Sequence, residues 1–112
     1  MIRTATLFVA LACGVAAATP AFPQVIRGDV LAGQRLAQQW CSGCHSVDRK
    51  STEANDAVPS FLSIAKMPST TSLSLQAWLQ TPHPRMPYWQ LTRKQIDDIN
   101  AYVLSLKGAG GL

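Results

Sequence analysis

Cys41-Ser42-Gly43-Cys44-His45 constrains this chain more than any other stretch. A C-x-x-C-H run is the attachment signature of a c-type haem. The two cysteines form thioethers with the haem vinyl groups, and the histidine becomes one axial ligand of the iron. Residues three and four apart share a helical face. On a helix, Cys41, Cys44 and His45 would therefore address one side of a flat macrocycle.

Two other chemistries use paired cysteines. A C-x-x-C can be a redox disulfide or half of a zinc site. The first would need a βαβ pattern around it, and none is visible. The second would bring another Cys/His pair at finger spacing, whereas Cys13 and His83 are all that remain.

The first twenty residues do not read as part of a domain. Met1-Ile2-Arg3 is a short basic start, and Ala5 to Ala18 is an apolar run. Small residues at Ala16-Ala17-Ala18 and Thr19-Pro20-Ala21 suit a peptidase. This is the layout of a signal peptide over residues 1–21, cleaved near 18–23. The run is short for a membrane span, so no stable span is expected after cleavage. Ala10-Leu11-Ala12-Cys13 distantly resembles a lipoprotein cleavage site, but Ala10 stands where leucine is usual. Cys13 is read as a passenger in the apolar core of the signal.

Export and haem attachment support each other. About 90 residues remain after cleavage, a domain that has trouble burying enough apolar surface without a staple. Its two remaining cysteines belong to the motif, so no structural disulfide is available. One covalent haem supplies the missing apolar core, and such haems are attached outside the cytoplasm. The expected location is the periplasm. The net charge of +4 falls to about +3 once Arg3 leaves. Arg49-Lys50 and Arg93-Lys94 are only pairs, so nucleic acid is not an expected partner.

The domain is expected over residues 28–108, all-α, with three to four helices wrapped around the haem. Asp29 caps a first helix whose apolar face is Val30, Leu31, Leu36, Ala37 and Trp40, and which runs into Cys41. Residues 46–59 form a polar loop. Phe61, Leu62, Ile64 and Ala65 make a helical turn or two. Ser72 caps a third helix with Leu73, Leu75, Trp78 and Leu79 on its apolar face. Three prolines between Pro82 and Pro87 stiffen the segment that stops it. The last helix opens with a Thr92/Gln95 capping box and carries the stripe Ile96, Ile99, Tyr102, Val103 and Leu106. Lys107 occupies its last turn and Gly108 its C′ position. No strand pattern, repeat or interior linker is visible.

One axial position is left to fill. Met86 is the leading residue for it: a thioether is a soft, neutral ligand that raises the reduction potential. Its proline-rich loop preorganises a weak ligand. Met67, also followed by proline, could instead ligate, or simply fill core space. His83 could give a bis-histidine site of lower potential.

These stretches together carry a resemblance. The first helix ending in Cys41-Ser42-Gly43-Cys44-His45 is followed by Val58-Pro59-Ser60-Phe61, by Trp78-Leu79-Gln80-Thr81-Pro82, by Arg85-Met86-Pro87, and by the Ala101-Tyr102-Val103 helix. In this the chain resembles a small class I cytochrome c of the bacterial periplasmic type, over essentially all of its expected mature length. In the gas-binding cytochrome c-prime bundles the motif lies near the C-terminus instead. The resemblance implies the class I fold and favours Met86 as the sixth ligand. It implies that the Pro59 carbonyl accepts a hydrogen bond from His45, and that Trp78 and Leu79 line the haem pocket. It pairs Gly33 of the first helix with Tyr102 of the last, near Ile99. The propionate partners are open, with Trp89 and Arg85 as guesses.

Three functions follow as expectations. The leading one is a non-enzymatic carrier that passes single electrons between redox proteins, as a monomer. The second is the cytochrome subunit of a larger periplasmic oxidoreductase. The third is a haem sensor or peroxidase-like protein with an open sixth site. No nucleophile–base pair is evident, since His83 lacks a Cys or Ser partner.

Overall fold

A computed structural model describes residues 27–50 and 58–110. The expected signal peptide, Cys13, much of the polar loop and Gly111 lie outside the described residues. Four helices are seen: α1 (Val30–Trp40), α2 (Phe61–Lys66), α3 (Ser72–Gln80) and α4 (Arg93–Leu106), followed by a 3₁₀ turn at Lys107–Gly110. No β-strand occurs among the described residues, and none of their helices is long and apolar enough to cross a membrane.

α4 is the element on which the others pack. Its opening is fixed locally. Thr92 accepts from the Gln95 N–H while Gln95 reaches back to the Thr92 N–H, so two orphan donors are satisfied. Ile96, Ile99, Tyr102, Val103 and Leu106 are all buried, as the stripe predicts. Ala101, Asp98 and Asn100 are buried as well. A helix contacted by α1, α2 and α3 hides more than one face, and that cannot be read from its own periodicity.

α1 starts as expected, with the Asp29 carboxylate accepting from the Ala32 N–H at 2.8 Å. Its buried face differs from the expected one. Gly33 and Ala37 are buried, whereas Leu31 is 62% exposed and Val30 lies at the surface. The cause is the closeness of the α1–α4 crossing. A Cβ on Gly33 would occupy the space of the Asp98 carbonyl and press on Cβ of Tyr102. Only small side chains fit such a contact. Gly28 approaches α4 in the same manner at the Asp97 carbonyl, and does so with φ +113°.

A buried carboxylate closes this crossing. Asp98 accepts from the Asp29 backbone N–H at 2.8 Å and from Lys94 Nζ at 2.7 Å. Burial pushes its pKa up, but these two donors and the nearby Arg35 outweigh burial and hold it below the usual aspartate value.

α2 is capped by Ser60 and buries Phe61 and Ala65. Tyr102 donates to the Val47 carbonyl at 2.7 Å, pinning the segment after the C-x-x-C-H run to α4. Burial, then the Asp48 charge, raises the Tyr102 pKa, which keeps the hydroxyl a donor. α3 is capped by Thr71 rather than Ser72, which is its first helical residue. None of its residues is fully buried, and Leu73 points outward, 73% exposed. At the C-terminus Gly108 holds the expected C′ position after the C-cap Lys107, but without a left-handed turn: Lys107 is right-handed and the chain continues through Gly108 as a 3₁₀ turn.

Candidate haem site

The C-x-x-C-H residues do not form part of a helix. α1 ends at Trp40 with Cys41 as its C-cap, and one tight turn follows. The N–H groups of Cys44 and His45 both donate to the Cys41 carbonyl, at 3.2 and 2.9 Å. Helix-like spacing is thus kept for one turn, as an end rather than a middle. The Ser42 hydroxyl donates to the Gln38 carbonyl at 2.6 Å and ties the turn to α1.

Cys41 is half-buried, Cys44 is exposed, and the two are not joined to each other. Burial pushes the Cys41 thiol up to about 11. A thioether has no proton to lose, so that burial opposes a free thiolate but not an attached haem. Among the described residues no three His, Cys, Asp or Glu side chains converge, so a zinc site has no ligand set there.

His45 is held from behind. Its Nδ1 lies 2.7 Å from the Pro59 carbonyl. A carbonyl only accepts, so Nδ1 is the donor, and Nε2 is the ring nitrogen left to face a ligand. This bond fixes the ring and raises the basicity of Nε2. Phe61 packs against the ring with centroids 5.5 Å apart.

A cleft of about 450 Å³ opens beside this histidine. It falls in the range of roughly 300–1,000 Å³ usual for cofactor pockets. Cys41, His45 and Pro59 line it, as do Trp78, Leu79 and Met86. Ile99 and Val103, four apart on α4, complete its apolar floor with Phe61 and Ile64. Sequence reasoning placed Phe61 and Ile64 in a short helix and Ile99 and Val103 on the stripe of the last one, without seeing that all four face a cleft; the i, i+4 pair on α4 was the available signal. Leu75, Trp78 and Leu79 explain why α3 has an apolar face and no buried residue: that face looks into the cleft. Ser69, Thr70 and Ser74 are the hydroxyl-bearing side chains on the lining.

Met67 lines the large cleft too. Met86 also borders a smaller cleft with Cys41, Cys44 and His45, and Met67 does not. Trp89 and Arg85 sit in that smaller cleft beside the cysteines. Trp89 stacks on Trp40, with centroids 5.8 Å apart and planes within 12°. Arg85 turns the loop before Met86 with φ +71°, an uncommon value for a side-chain-bearing residue.

The geometry fits a covalent haem: thiols at the rim, a supported imidazole with a free Nε2, an apolar slot, and a thioether on the same slot. The family comparison agrees. The model for the cytochrome c family matches residues 30–107. This chain belongs to the cytochrome c family. It is 38% identical over 95 residues to cytochrome c-552 of Bradyrhizobium diazoefficiens, covering 85% of this chain and 91% of that protein. No solved structure matches it significantly. The cytochrome therefore has the expected all-α class I fold, carries haem c through Cys41 and Cys44, and is an electron carrier that works with redox partners.

Proposed function

We propose that this cytochrome is exported to the periplasm and carries single electrons there between redox proteins, with His45 and Met86 as the axial ligands of its haem. The supporting observation is that a carbonyl-braced imidazole and a thioether line one apolar cleft with Cys41. When bound, the haem supplies one-electron exchange. The chain's own part is to hold and to exclude. The Pro59 carbonyl keeps the proton on Nδ1 of His45 and aims Nε2 into the cleft. Pro84 and Pro87, with the left-handed turn at Arg85, preset the backbone that carries Met86. Trp78, Leu79, Ile99 and Val103 keep water from the slot, and with Pro59 and the two ligands they form the proposed binding set. Two protein ligands leave no open position for a substrate, which is why the reading is a carrier and not an enzyme.

The test is the absorption spectrum of the exported, haem-loaded protein. Wild type should be low-spin in both oxidation states and show the weak far-red band of thioether-bound ferric haem. Met86→Ala should abolish that band and lower the potential. A high-spin ferric wild type would refute the carrier reading in favour of an open-site protein, and an unchanged Met86→Ala spectrum would refute the ligand.

A further inference from the structure

Away from the attachment residues the large cleft is almost wholly apolar, except in one place. Its hydroxyl-bearing side chains, Ser69, Thr70 and Ser74, gather where the chain passes from α2 into α3. None of the three borders the smaller cleft, where Cys41 and Cys44 meet. The slot therefore has a thiol end and a hydroxyl end. Thr70 stands apart within the group, because it is only 7% exposed. Its hydroxyl donates to the Ile64 carbonyl at 2.6 Å.

The protons of this group are not tied to single acceptors. The Ile64 carbonyl has a second donor, the Met67 N–H at 3.2 Å, so Thr70 can turn its proton elsewhere and leave that carbonyl paired. Ser74 Oγ lies 3.0 Å from both the Ser69 and the Thr71 carbonyls, and its one proton serves one of them at a time. The Ser69 hydroxyl has no hydrogen-bond partner among the described residues. Donors held in this way suit an acceptor that arrives with the cofactor.

Haem brings such an acceptor. It carries two propionate carboxylates, on the pyrroles that bear no vinyl group and hence no thioether. A carboxylate against an apolar wall is costly unless it is hydrogen-bonded. With the thioethers fixed at the thiol end, the hydroxyl end is where the lining can meet that need. We infer that Thr70, assisted by Ser69 and Ser74, holds one haem propionate by donating its hydroxyl proton to the carboxylate. The inference rests on the covalent haem at Cys41 and Cys44, and it is independent of which residue is the sixth ligand. It also gives Thr70 a part in the redox balance. A bare carboxylate near the iron favours the oxidised form, which carries one more positive charge. Hydrogen bonds to the carboxylate offset that preference, so Thr70 raises the reduction potential.

The experiment uses the exported, haem-loaded protein. In the ferrous, diamagnetic wild type, proton NMR should show Overhauser contacts from the Thr70 methyl group to the methylene protons of one propionate. Thr70→Val keeps the side-chain shape and removes the donor. It should keep the wild-type absorption spectrum, while its reduction potential shifts downward and the propionate bending band in resonance Raman moves. Thr70→Ser restores the hydroxyl and should return the band and most of the potential. Contacts from Thr70 to a thioether methyl, or to no haem proton, would overturn the inference without any variant being made. So would a Thr70→Val protein with the wild-type potential and propionate band, since the hydroxyl would then serve only the Ile64 carbonyl. A Thr70→Ser protein that matches Thr70→Val would overturn it as well. Absence of thioether-bound haem, read from the pyridine haemochrome spectrum, would refute the haem reading itself, and the inference would fall with it.

Discussion

Replacing Gly33 with alanine adds one methyl group at the closest approach of α1 and α4. The new Cβ would meet the Asp98 carbonyl, which is backbone inside a helix and cannot rotate away, and Cβ of Tyr102 at 2.9 Å. The helices must part. Overpacking of this kind costs about 1–3 kcal/mol. Parting them also stretches the 2.8 Å bond from the Asp29 N–H to the buried Asp98 carboxylate, a charge-assisted bond worth about 1.5–3 kcal/mol. Alanine returns about 1 kcal/mol of helix propensity. The net expectation is a loss of about 2–5 kcal/mol, a large share of the roughly 5–15 kcal/mol typical of a whole domain. Guanidinium unfolding of the haem-loaded protein, followed by circular dichroism and by the Soret band, measures it. The covalent haem stays on the unfolded chain, so both probes report one equilibrium. The midpoint should fall by roughly 1 M with its slope unchanged. Gly43 is the control, because a Cβ there meets nothing within 4 Å and Gly43→Ala should be nearly neutral. A Gly33→Ala protein as stable as wild type would refute the close-crossing argument, and with it the reason why α1 buries small residues.

The same carboxylate predicts an acid limb. Asp98 is held below the usual aspartate value, so the unfolded chain binds its proton first, and stability is complete above that value and lost as pH falls through the folded one. Unfolding midpoints across the acid range should drop with pH in wild type, and more shallowly in Asp98→Asn, which should also lose stability at neutral pH. Tyr102→Phe removes the donor to the buried Val47 carbonyl and should cost about 1–3 kcal/mol. Hydrogen exchange should then quicken around Val47 while the capped start of α4 keeps its protection.

Much of this molecule was legible in the sequence because its signals are local. The haem run, the Thr92/Gln95 box, the Asp29 cap and the α4 stripe each depend on residues a few positions apart. What misled were faces chosen by partners. Val30 and Leu31 are apolar and sit at the surface, whereas Gly33 and Ala37 are small and buried, because the nearness of α4 decides what fits. Asp98 reads as a surface charge on a helix until the Asp29 N–H, 69 positions away, turns it into a buried acceptor. Leu73 and Leu75 look alike in sequence, and only the cleft separates them. At the site, the residue types were readable but the Thr81 carbonyl behind His83 was not, since a backbone acceptor leaves no mark on composition.

The stacked pair Trp40 and Trp89 has a consequence for the rate of electron exchange. Trp40 immediately precedes Cys41, and Trp89 follows Met86 by three positions. The stack therefore clamps the segment bearing the thioethers to the segment bearing the proposed distal ligand. With both segments tied in this way, a change of charge at the centre of the cleft should move few atoms, and low reorganisation energy is what fast transfer over a small driving force requires. Electron self-exchange is therefore expected to be slower in Trp89→Ala than in wild type.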